Sequence, residues 1–121
     1  PLQHRLAGVK VQSGGFICDS ADPTTLFGDG FTVNLGVNNY NVVFDGPYRK
    51  ILAVVANVGG APVPAFPVCE GYLEGAAQAA QFTVNVYGQD PATKEFGLNT
   101  PAAANGIRVD FVVFFLDIGA Q

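Results

Sequence analysis

Ten carboxylates, two cysteines and a single histidine are the side chains of this chain best equipped for chemistry. Asp19 and Asp22, or Asp29 in its Gly28-Asp29-Gly30 turn, could hold calcium with nearby carbonyls, yet none of their spacings matches the alternating oxygen ligands of a calcium loop. Asp in such places is better used as turn chemistry, accepting backbone N–H bonds and tolerating left-handed angles. Asp110 shares a strand face with Arg108, which points to a surface ion pair, and Asp117 falls on the opposite face. Glycoside hydrolysis needs two carboxyls about 5–9 Å apart in a cleft, and nothing in the order of residues selects such a pair. Cys18 and Cys69 lack the paired spacing of a zinc site. They read as buried thiols, with a disulfide as the alternative if their strands are neighbours. His4, without a second histidine, completes neither a metal cluster nor a Ser-His-Asp set, and its expected state is a solvated side chain. No catalytic residues, metal ligands or cofactor follow from these side chains, so the expectation is a protein that is not an enzyme.

Pro1 has a secondary amine that could act as a general base, the chemistry of the tautomerases. That reading requires a strand opening at residue 2 and an amphipathic helix after it. Leu2-Gln3-His4-Arg5-Leu6 is a weak strand, and no helical period follows. Pro1 after a removed initiator Met leads us to expect a complete, cytosolically made chain, with a trimmed or cleaved precursor as the competing account. The six bases are scattered, only Arg49 and Lys50 being adjacent, against a net charge of −4. That excludes the basic stripe a phosphate backbone requires, so nucleic acid is not an expected partner. No apolar run is long enough to span a bilayer as a helix, and no membrane association is expected.

What must position these residues is a set of strands. Gly and Pro are abundant at 15 and 8, and 49% of residues are apolar, the composition of short strands joined by tight turns around a sizeable core. Residues 107–118 organise the rest. Ile107, Val109, Phe111, Val113, Phe115 and Asp117 fall on one face, and Arg108, Asp110, Val112, Phe114, Leu116 and Ile118 on the other. A strand greasy on both sides is expected to be central in its sheet, with its second face covered by another sheet, an arm or, our preference, another subunit.

Further strands are expected over residues 8–12, 15–19, 31–35, 40–44, 50–58, 68–73 and 82–87. Ser13-Gly14-Gly15 reads as a break between the first two, and residues 20–25 as a loop. Asn38-Asn39 reads as a tight turn and Asp45-Gly46-Pro47 as a strand end. Pro62, Pro64 and Pro67 favour an edge or surface loop, residues 75–81 a connector, and residues 88–106 a long loop of the functional or partner-ordered kind. The expected architecture is an all-β, antiparallel β-sandwich, jelly-roll-like, of seven or eight short strands. An N-terminal arm covers residues 1–7 and a single sandwich domain residues 8–121.

The runs Gly28-Asp-Gly-Phe-Thr-Val33, Asn39-Tyr-Asn-Val-Val-Phe-Asp-Gly-Pro-Tyr48, Ala53-Val-Val-Ala-Asn-Val58, Gln81-Phe-Thr-Val-Asn-Val-Tyr87 and Val109-Asp-Phe-Val-Val-Phe-Phe115 carry a resemblance. Over residues 28–118 their rhythm resembles small trimeric β-sandwich modules of phage virion proteins, and it is similar to that of the H-type lectins. The chain departs from the fibre modules in having no shaft ahead of the sandwich, and from the lectins in having no Trp. The resemblance implies a phage head decoration (cement) protein in a virion, a homotrimer that braces the major capsid protein. Leu2, His4, Arg5 and Leu6 would then grip the shell, and Val112, Phe114, Leu116 and Ile118 would form the trimer interface. The alternative it implies is a carbohydrate-binding fibre tip or lectin, taking a glycan on Tyr48, Tyr72, Tyr87 and the 88–106 loop, since Tyr suits sugar stacking and interfaces alike.

Overall fold

Side chains alternate across a pleated backbone, so a pattern such as Phe31-Thr32-Val33-Asn34-Leu35 commits one face to a core and the other to water. In the structure, a computed structural model that describes residues 9–47, 49–61, 63–73, 79–99 and 106–117, that commitment is met twice over, by two antiparallel sheets packed face to face. The described residues form β1 (Val9–Ile17), β2 (Thr24–Phe27), β3 (Phe31–Leu35), β4 (Tyr40–Pro47), β5 (Arg49–Gly59), β6 (Ala65–Leu73), β7 (Ala79–Gln89), β8 (Phe96–Leu98) and β9 (Arg108–Asp117). One sheet has the order β2-β1-β9-β5. The other runs β3-β4-β7-β6, with β8 also paired to β7. The last strand thus returns between β1 and β5, the returning connection of Greek-key sandwiches and jelly rolls.

The antiparallel β-sandwich is as expected, and β9 is central in its sheet. Strand bookkeeping differs in instructive ways. Ser13-Gly14-Gly15 does not break the first strand but runs through its middle, paired with Val112, Phe111 and Asp110. These glycines make room for rings. A Cβ on Gly14 would lie 2.5 Å from the Phe31 ring and 2.8 Å from the Phe111 ring, and one on Gly15 would meet the ring of Phe27. Two short strands, β2 and β8, occupy stretches that read as loop, which raises the number among the described residues to nine. β4 continues to Pro47 instead of stopping at Asp45, although its ladder with β7 is irregular between Val43 and Pro47. Pro67 lies in β6, an edge strand, where a missing N–H costs little. Residues 1–7, 75–78 and 100–105, on which the arm and parts of the connector and long loop fall, lie outside the described residues.

The core is aromatic. From β9, Phe111 and Phe115 point across the sandwich to Phe31, Phe44 and Phe82 of the other sheet. Phe44 sits at the centre, 4.7 Å from Phe115 edge-on and 5.9 Å from Phe82 in a stacked pair. Phe111 completes the set with edge contacts to Phe31 at 5.1 Å and Phe82 at 5.5 Å. Val109, Val113 and Phe115 are fully buried. Edge-to-face rings add roughly 0.5–1.5 kcal/mol per pair to the area they bury, so this cluster binds the two sheets together.

Candidate functional site

The side chains singled out for chemistry serve the architecture. Asp19 accepts the backbone N–H of Ala21 at 2.7 Å, and Asp90 that of Ala92 at 2.8 Å, so both close turns. Arg108 donates to Asp110 Oδ2 at 3.1 Å, the ion pair read from the sequence. Among the described residues no cluster of three or more His, Cys, Asp or Glu is placed to hold a metal ion. Cys18 and Cys69 are free thiols on opposite sides of the sandwich. Burial pushes each up to about 11, so neither is a thiolate nucleophile at neutral pH. Tyr40 is raised as well, first by burial and then by the nearby Cys18 thiol and Asp19.

What the sandwich does present is two unlike outer faces. On the β2-β1-β9-β5 sheet, outward positions of β9 align with outward positions of its neighbours. Leu116 is opposite Val9 and Lys50, Phe114 opposite Val11 and Ala53, and Val112 opposite Ser13 and Val55. Val112, Phe114 and Leu116 are half-buried by these neighbours, whereas Val11 and Val55 are each 61% exposed. The result is one apolar stripe across three strands. Leu52, in the irregularity of β5 between Ile51 and Ala53, adds a further exposed apolar side chain. Beside the stripe lies a shallow depression of about 200 Å³ walled by Phe27, Val55, Asn57 and Val112. Asp110 reaches it with an Oδ1 atom that is buried and has no hydrogen-bond partner within the chain.

The β3-β4-β7-β6 sheet turns a polar face outward. Thr32, Asn34, Asn41, Thr83 and Glu70 line it. Thr83 donates to Asn41 Oδ1 at 2.7 Å, and Asn85 donates to Glu70 Oε1 at 2.6 Å. At one end the polar row gives way to rings. Phe66 and Tyr87 are stacked, 5.4 Å apart and 7° from parallel, and Phe96 leans on Phe66 at 5.2 Å. Phe96 also walls an open groove of about 380 Å³ along the β7–β8 hairpin, with Asp90, Thr93, Glu95 and Asn99.

The residues named from sequence therefore divide. Val112, Phe114 and Leu116 share one outward face. Ile118, like Leu2, His4, Arg5, Leu6 and Tyr48, lies outside the described residues. Tyr72 is half a dozen positions along β6 from Phe66, roughly 20 Å at strand rise, so the structure does not bring it to Tyr87. Tyr87 is joined instead by Phe66 and Phe96, which sequence reasoning assigned to a proline-rich passage and to a loop. The alternation Phe96-Gly97-Leu98 was the signal for that short strand. Comparison with known proteins finds no family model, no curated protein and no solved structure that matches this chain.

Proposed function

We propose that this chain is a non-enzymatic structural protein of a virion, a capsid decoration protein that assembles with copies of itself through the outer face of its β2-β1-β9-β5 sheet. One observation carries the reading. β9 seals Val109, Phe111, Val113 and Phe115 in its own core while holding Val112, Phe114 and Leu116 in an apolar stripe on the solvent side. Burying a Val, Leu or Phe side chain stabilises by roughly 1.5–3 kcal/mol, and contiguous apolar surface of this kind is characteristic of faces covered by a partner. The buried Oδ1 of Asp110 favours the same account, because a donor from a covering subunit would satisfy it. The number of copies, three, and the setting, a shell of major capsid protein gripped by Leu2, His4, Arg5 and Leu6, come from the resemblance in strand rhythm. Assembly would then replace catalysis as the mechanism, with apolar burial between protomers bracing the shell.

Light scattering of the purified chain tests this directly. A mass of three chains that persists on dilution is the expected result. A single-chain mass at high concentration would remove the reading.

A further inference from the structure

We infer that the groove along the β7–β8 hairpin is a binding site for an uncharged sugar, with Phe96 as the surface on which a pyranose ring stacks. The groove has a volume of about 380 Å³, within the range of small-ligand sites. Its floor is bare backbone. Gly88 and Gly97 face each other across the ladder, and a Cβ on Gly97 would meet nothing within 4 Å. Paired glycines at such a position allow a ligand to approach the strands closely. Its walls mix hydrogen-bonding types: carboxylates at Asp90 and Glu95, a hydroxyl at Thr93 and an amide at Asn99. Sugar hydroxyls both donate and accept, and such a mixture answers both needs.

Phe96 supplies the apolar wall. It is 47% exposed, yet the neighbouring Phe66, itself stacked on Tyr87, holds its ring in place. A braced ring loses little freedom when a ligand lies against it. Charge narrows the class. Asp90 and Glu95 in the groove would repel a sialylated or phosphorylated sugar, and a quaternary ammonium ion would leave the amide and hydroxyl donors unmatched. This site is on the other sheet from the stripe around Phe114, so it stands or falls separately from the proposed assembly.

Saturation-transfer NMR with the methyl glycosides of glucose, galactose and mannose, alongside sialyllactose and choline, tests the assignment. We expect at least one neutral glycoside to receive saturation, strongest at its ring C–H protons. The signal should disappear in Phe96→Ala and in Gly97→Val, which fills the groove without a clash, and it should survive Phe114→Glu. Thermal melts matching the parent would show that both groove variants are folded. Silence from all three glycosides, preference for sialyllactose or choline, or a signal that persists in folded Phe96→Ala and Gly97→Val would each overturn it.

Discussion

The two outward faces of this sandwich are built by the same alternation, and they are not alike. Opposite the core, β3, β4, β6 and β7 place Thr32, Asn34, Asn41, Thr83 and Glu70, which bond to one another or to water. Opposite the same core, β1, β5 and β9 place Val9, Val11, Val55, Val112, Phe114 and Leu116. An antiparallel sheet with one face in water needs only one apolar face. The first sheet obeys that economy and the second does not, so its outer face is where assembly is expected. The small aromatic cluster of Phe66, Tyr87 and Phe96 is a local exception on the polar side, confined to one end and opening onto a polar groove.

Both faces depend on a shared core, so the largest effect should come from Phe44→Ala. Removing the ring at the centre of the cluster is expected to destabilise the fold by about 3–5 kcal/mol, and chemical denaturation followed by tyrosine fluorescence would measure it. Second comes the contrast itself. Phe114→Glu should reduce the mass seen by light scattering to one chain, an anchor loss of about 2 kcal/mol or more. Thr32→Glu, an equal charge on the other outer face, should leave the mass unchanged. If both variants dissociate, or neither does, the faces are not functionally distinct.

Gly14→Ala should cost about 1–3 kcal/mol, because its Cβ would press on the rings of Phe31 and Phe111 from inside the apolar sheet. Alkaline pH should act through the thiols. Cys18 and Cys69 titrate near 9.0 when unfolded and near 11 when folded, so above about 9 the unfolded chain loses protons that the native one retains. Stability is therefore fully present below pH about 9 and falls as pH rises towards about 11. Denaturant midpoints across that window should show the decline, and Cys18→Ala should flatten part of it. Smallest of all, Asp110→Asn should shift the monomer's stability by no more than about 1 kcal/mol, since Arg108 is largely solvated and the ion pair is screened.

Much of this was legible in the residues. The Phe31–Leu35 alternation and the two faces of residues 107–117 announce strands and assign their inward sides correctly, since period two depends only on local geometry. Gly14 and Gly15 misled for a physical reason. As local signals they mark a break, but their role is to admit the rings of Phe31 and Phe27, residues more than ten positions away. Thr24–Phe27 and Phe96–Leu98 are too short to show a period, and they become strands only because β1 and β7 offer them free ladder positions. Tyr72 and Tyr87 look equivalent as amphipathic aromatics, and only register separates them, pairing Phe66 with Tyr87 at one end of β6 and leaving Tyr72 at the other.

By itself, then, the order of amino acids determined that this chain makes strands, which side of each faces inward, and that the final strand carries more apolar surface than one core can use. Those properties follow from side-chain type and a two-residue repeat. Which residues meet across strands was decided by tertiary structure alone: Val11 and Ala53 flanking Phe114, the five-ring centre, and Phe66 and Phe96 brought to Tyr87 beside an open groove. Partners across a sheet are set by register and by the crossing of chains between layers, and both emerge only when the whole core closes.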